Sequence, residues 1–283
     1  ISFMRMFDMS NDSHLFKTQQ QLEETGYCLE GNRFVSDDGL YLPLYEAKMI
    51  HLFDHRFAHA FESDTGMQIR GASELLSYED HLDPIMLAMP RRWVKKEDVS
   101  KALSTTDGLR NWFVGLRGIT GNVANVRTTI CSIIPFCGVG NSISLLISSE
   151  NPLSIVCSAV NFSSFVLDYA SRQKVGGINM NMFIIKQLPI LSPDFYQRNH
   201  FPDLLYHILS RAIELYYTSW DIRTLAIDCG YDGPPFIWDE ERRFEIRCEL
   251  DALYFHLYLG NQTDWQTQGS KELLSYLPTP RNA

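Results

Sequence analysis

The chain has 283 residues, 45% hydrophobic and 21% charged, with six cysteines and a formal charge of −9. This is an ordinary globular composition, enough for one or two domains with a full core. No run approaches the roughly 18 apolar residues of a membrane span and no signal-peptide order opens the chain, so a soluble, cytoplasmic protein is expected.

The cysteines, at 28, 131, 137, 157, 229 and 248, lack CxxC spacing, which indicates neither a disulfide framework nor a zinc knuckle. Residues 1–40 are mixed, with polar turns on either side of a strand-like run near residues 27–35. The opening ISFMRMFDMSNDSHLF has no methionine at position 1 and reads as a cut from something longer. Over residues 45–61, Met49, Leu52, Phe53, Phe57 and Phe61 recur at helical spacing and predict an amphipathic helix. From 85 to 148 the short apolar runs PIMLAM, TTICSII and SISLLIS are separated by Gly, Pro and Asn, the pattern of a small sheet. A long helix is predicted from Pro152 to the Gly176-Gly177 stop, followed by a buried strand in MFIIKQLPIL. Two further helices, about 202–227 and 240–258, flank a DGPP turn. The fold class expected is α+β: a connecting segment and helix over 1–84, an α+β core with a small mixed sheet over 85–195, and a helical region over 196–283.

The negative net charge argues against nucleic acid, but it is unevenly spread. Residues 86–198 hold twelve basic and six acidic residues, a local +6 that leaves −15 on the remainder. Two loops in this middle carry the binding residues. In RGITGNVANVR, Arg117, Asn122, Asn125 and Arg127 have the donor types that pair bidentately with guanine and adenine. In SRQKVGGINMN, Arg172 and Lys174 precede Gly176 and Gly177, which would let backbone approach a phosphate, while Asn179 and Asn181 fall on one face of an extended segment. The plainer readings are an Asn-rich turn and a helix C-cap. Lys48, His51 and Arg56 are added as candidates for DNA-backbone contact or for docking a second domain.

Four other patterns need weighing. Phe136 to Gly140 (FCGVG) and Asp232 to Phe236 (DGPPF) imitate the methyl-donor loop and the catalytic tetrapeptide of methyltransferases. The first is followed by a strand-like run rather than a helix, and in the second Gly233 separates the carboxylate from the prolines. Asp38, Glu46 and Lys48 could form a magnesium-dependent nuclease set. His51 and His55 stand i,i+4 but lack a third ligand. For both sets a polar helix face is the plainer reading.

The blocks YLPLYEAKMIHLFDHRF, NVRT leading to IIPFCGVGN, FVLDYASRQKVGGINMNMFIIKQLPIL and GYDGPPFIWDEERRFEIRCELDALYFHLY span nearly the whole chain. In this order they resemble the large restriction-modification adenine-N6 DNA methyltransferases, including type IIG-like enzymes and the methylases of DISARM and BREX phage defence. In that family the blocks lie in the TaqI-like specificity region. The resemblance implies a double-stranded DNA partner and a catalytic domain upstream that binds S-adenosylmethionine. It implies no cofactor, no metal and no catalytic residue in this stretch. The alternatives carried forward are the nuclease and a protein-docking module without DNA contact.

Overall fold

The computed structural model describes residues 1–62, 72–106, 108, 110–120, 127–197 and 204–259. The strands are β1 (Ser2–Met4), β2 (Phe16–Lys17), β3 (Cys28–Glu30), β4 (Arg33–Ser36), β5 (Gly39–Tyr45), β6 (Ala58–Phe61), β7 (Ala72–Leu75), β8 (Trp93–Lys95), β9 (Trp112–Arg117), β10 (Cys131–Pro135), β11 (Gly138–Val139) and β12 (Ile143–Ile147). The helices are α1 (Gln19–Glu24), α2 (Tyr78–Leu82), α3 (Lys96–Ala102), α4 (Pro152–Ser163), α5 (Phe165–Arg172), α6 (Met182–Ile185), α7 (Pro193–Gln197), α8 (Leu204–Tyr216), α9 (Arg223–Asp228) and α10 (Glu240–Leu259). The fold is α+β.

One antiparallel sheet runs β1-β12-β9-β10, and a second runs β2-β8-β5-β4-β3 with β11 added parallel to β5. The first is covered on both faces. Because side chains alternate along a strand, Trp112, Val114 and Leu116 of β9 enter a core shared with the helices, while Phe113 enters the core shared with the second sheet. β10 and β12 divide the same way, Ile133 and Leu146 to one side, Ile134 and Leu145 to the other. Strands buried on both faces read as continuous apolar runs, which is why TTICSII and SISLLIS show no polar alternation.

Five elements differ from the sequence expectation. PIMLAM (84–89) forms no strand. The helix expected over about 202–227 is split into α8 and α9 by a 3-10 turn at Trp220–Ile222. Residues 45–61 form no α-helix. The chain leaves β5 through a single 3-10 turn, reverses at Phe53, whose φ of 58° is left-handed, and enters β6. The helical spacing is coincidental: Met49 and Ile50 fill one core, Leu52 and Phe53 the other. The long helix from Pro152 is interrupted at Ser164, whose extended backbone ends α4 and whose hydroxyl caps α5, bending the pair by 57°. MFII begins a short helix, α6, rather than a strand. The N-terminal segment is more than a connection, since β1 is an edge strand of the first sheet and Met6 and Phe7 are core residues.

No single described helix is long and apolar enough to cross a membrane. The bent α4–α5 pair passes by length and composition, yet α4 is buried from Ser154 to Ser163 in the protein's own core.

Candidate nucleic-acid interface

The two basic loops meet. Beyond β9 the chain continues extended, and Ile119 forms an antiparallel bridge with Asn179. The Thr120 N–H donates to the Ile178 carbonyl at 2.9 Å and the Met180 N–H to the Gly118 carbonyl at 2.8 Å. The bridge places the start of the first loop against the Asn179 stretch of the second. Asn122 and Asn125 lie outside the described residues.

Two carboxylates fix the surrounding backbone. Asp168, buried on α5, accepts from the Thr128 and Thr129 N–H groups at 2.6 and 2.8 Å and from Arg172 Nε at 2.9 Å. Asp251, on α10, accepts from Arg127 Nη2 and, through its other oxygen, from the Phe165 N–H at 2.6 Å. Burial raises the Asp251 carboxyl above its usual range, while the Arg127 charge works in the opposite direction. Arg127 also lies over the Phe165 ring, 5.3 Å from its centroid. Neither acid was singled out from the sequence. The Asp168–Arg172 pair is legible as an i,i+4 spacing, but Asp251 stands 124 positions from Arg127.

The remaining candidates fall into distinct environments. Arg117 ends β9, and its Nη1 has one long contact, 3.5 Å to the Ile50 carbonyl, while Nε has no partner. Burial alone depresses its pKa, since no neighbouring charge contributes. Lys174 is exposed, with Nζ 3.5 Å from Gln187 Oε1. Gly176 and Gly177 are exposed, their φ angles lie outside the left-handed region, and a Cβ on either would meet nothing within 4 Å. Asn179 is exposed, and Asn181 precedes α6 without a side-chain capping bond. The turn carrying Lys48 and His51 adjoins this region through Ser142, whose hydroxyl accepts from the Ala47 N–H and whose carbonyl accepts from the Gly118 N–H. Lys48 faces Glu46 at 3.6 Å, and His51 stacks on Phe57 at 4.5 Å between ring centroids.

Arg56 is corrected. It is fully buried, and its guanidinium donates to the carbonyls of His81, Asp83, Met86 and Thr218. A cation committed to four carbonyls from two segments, 81–86 and Thr218, is an internal strut and cannot reach a DNA backbone.

The enzymatic patterns do not assemble. Asp38 and Glu46 flank opposite ends of the extended β5, eight residues and so roughly 26 Å apart, too far to share a metal ion. Among the described residues no group of three or more His, Cys, Asp or Glu is placed to hold a metal. His51 and His55 share no helical face. His55 is buried instead, with Nε2 3.1 Å from both Asp221 Oδ1 and Ser219 Oγ. The residues of FCGVG do not fit a methyl donor: Gly138 is a buried β11 residue where a Cβ would overlap Val94 of the second sheet. The DGPPF segment is a packed turn in which Phe236 stacks on Tyr231 at 5.0 Å and Asp232 pairs with Arg223 at 2.9 Å.

No family model matches the chain, and no curated protein or solved structure is significantly similar to it.

Proposed function

We propose that this chain is the sequence-specific DNA-binding, target-recognition module of an adenine-N6 DNA methyltransferase of the restriction-modification or phage-defence type. The methyl donor and the catalytic tetrapeptide would then belong to a separate catalytic domain, since the residues here do not fit the donor. The observation that carries the reading is the Ile119–Asn179 bridge, which joins two loops that each carry phosphate- and base-reading side-chain types. At their root stands Arg117, a largely buried guanidinium with no carboxylate partner among the described residues. Such a charge is costly to bury alone, and a DNA phosphate would compensate it with paired hydrogen bonds. The glycines support the same reading. Nothing inside the fold requires Gly at 176 or 177, whereas close approach of a sugar-phosphate backbone would favour both.

In this reading Arg117, Arg172 and Lys174 position the duplex through phosphates. Asn122, Asn125, Asn179 and Asn181 read base edges, and a flipped adenine is presented to the catalytic domain. The test is selection of random duplex DNA by the chain followed by sequencing, with anisotropy titrations over a range of salt. An enriched motif is expected. The Arg117→Ala, Lys174→Ala double variant should lower the log–log salt slope by about 2, one phosphate per residue. Selection without enrichment, together with an unchanged slope, would overturn the proposal.

A further inference from the structure

A second surface, away from the basic loops, is apolar at its centre and acidic around its edge. Its centre is contiguous by direct contact. The Trp220 backbone N–H donates to the Pro84 carbonyl at 3.1 Å, which brings the 217–220 segment against the 82–85 segment. Tyr217 packs edge-on to Trp220 at 6.4 Å, and its carbonyl accepts from the Phe236 N–H. The next residues, Ile237 and Trp238, return to α2, where the Trp238 ring lies 4.0 Å from that of His81. Leu82, next to His81, completes the circuit to Ile85. Within it Ile237 is 82% exposed, Ile85 69%, Leu82 43% and Trp220 43%. Four exposed large apolar side chains on three segments that meet are the composition of a binding surface rather than of scattered exposure.

The edge is mainly acidic. Segments 72–90 and 216–241, which build the surface, contain ten acidic residues and a single arginine, Arg223, paired with Asp232; of the two arginines that follow, Arg242 is paired with Glu214 and Arg243 is buried over the Trp238 ring. Glu79 and Asp83 stand by Leu82, and Asp239 and Glu240 by Ile237, all exposed. Phosphate is repelled here. The basic loops lie elsewhere: α10 starts at this edge with Glu240 and reaches Asp251, the partner of Arg127, eleven residues later, roughly 17 Å along its axis.

We infer that this face docks a protein surface presenting lysine and arginine around apolar side chains. The occupant is set by charge complementarity: an apolar centre gives the contact area, and the unneutralised carboxylates select a cationic rim. The inference stands independently of DNA binding by the loops.

The probe is a fluorescein-labelled amphipathic peptide with leucine and tryptophan on one face and lysine on the other, compared with a twin bearing glutamate for lysine. The chain should bind the lysine peptide saturably and the twin at least roughly ten-fold more weakly, with affinity falling as salt rises. Ile85→Ser and Ile237→Ser, both at exposed positions and so harmless to folding, should each weaken binding by about three- to ten-fold. Tyr206→Ser, on the exposed face of α8, should leave it unchanged. Equal binding of both peptides, no saturable binding, or indifference to the two isoleucine substitutions would overturn the inference. So would competition by duplex DNA for the same variants' site, or concentration-dependent self-association abolished by Ile237→Ser, which would assign the face to nucleic acid or to a second copy.

Discussion

Arg127 donates to Asp251 across 2.5 Å, tying the exit of the first basic loop to the middle of the longest helix. The pair is mostly buried, and Asp251 also accepts from the Phe165 N–H, so losing the arginine leaves a carboxylate in a site that already disfavours its charge. Arg127→Ala should therefore cost about 1–3 kcal/mol in urea unfolding, and the Arg127→Ala, Asp251→Ala double variant should recover part of it. A strictly additive cycle would show that the two do not interact.

Arg117 should behave in the opposite manner. Among the described residues no carboxylate faces it, so Arg117→Ala removes an uncompensated charge, and unfolding stability should stay within about 1 kcal/mol of the parent. Any DNA affinity should instead fall, with the salt slope reduced by about 1. Loss of stability with unchanged DNA binding would make Arg117 another internal strut like Arg56.

Glycines separate the two kinds of position cleanly. Gly176→Ala and Gly177→Ala meet open space with an unstrained backbone and should leave the melting temperature unchanged while weakening DNA binding. Gly138→Ala forces a methyl into Val94 and should destabilise by about 1–3 kcal/mol, the usual cost of overpacking. Equal melting temperatures for all three would contradict the tight packing of β11 on the second sheet.

Local signals in the sequence proved reliable where one neighbourhood decides the outcome. Helix α4 opens with Pro152 in its first turn as expected, the Asn151 side chain accepting from the Leu153 N–H, whereas the single strand-like run near residues 27–35 is two paired strands, β3 and β4, turning at Gly31. Distant partners were illegible. Nothing near residues 45–61 signals that Met49 and Ile50 belong to one core and Leu52 and Phe53 to the core on the other side of the sheet, so their spacing imitates a helix. The basic loops could be nominated by composition, yet their union needs a backbone bridge across 60 residues. Arg56 looked like a surface cation because its carbonyl partners come from 81–86 and from Thr218.

Acid sensitivity should come from two buried aspartates. Burial pushes the Asp54 carboxyl up, but the His81 ring, the Arg243 charge and the Arg56 N–H outweigh it and hold the group below its ordinary 3.8. In Asp221 burial is likewise outweighed, by His55, Ser219 and Arg56. Both folded-state values lie below the unfolded one. Their contribution is thus complete at pH above the unfolded value and is lost as pH falls through the depressed folded values, below about 4. Melting temperature against pH should drop steeply on that limb, and Asp54→Asn should make the drop shallower. An unaltered limb would place the acid transition elsewhere.

Arg56→Leu tests the strut. The substitution removes donors to four carbonyls in a fully buried site and takes from Asp221 one of the charges that favour its ionised form, while the Arg56 backbone N–H to Asp54 is retained. A loss of at least roughly 3–5 kcal/mol is expected, since orphaned buried acceptors and charges each carry their full desolvation penalty. Arg56→Lys should recover little, because one ammonium cannot replicate a planar fork that reaches 81–86 on one side and Thr218 on the other. Hydrogen exchange locates the damage: faster exchange at the Trp220 N–H, which donates to Pro84, is the specific signature, because Arg56 holds the segments on both sides of that bond. A variant that unfolds without first losing protection at Trp220 would show that Arg56 stabilises the molecule globally rather than by fastening α2 to the C-terminal helices.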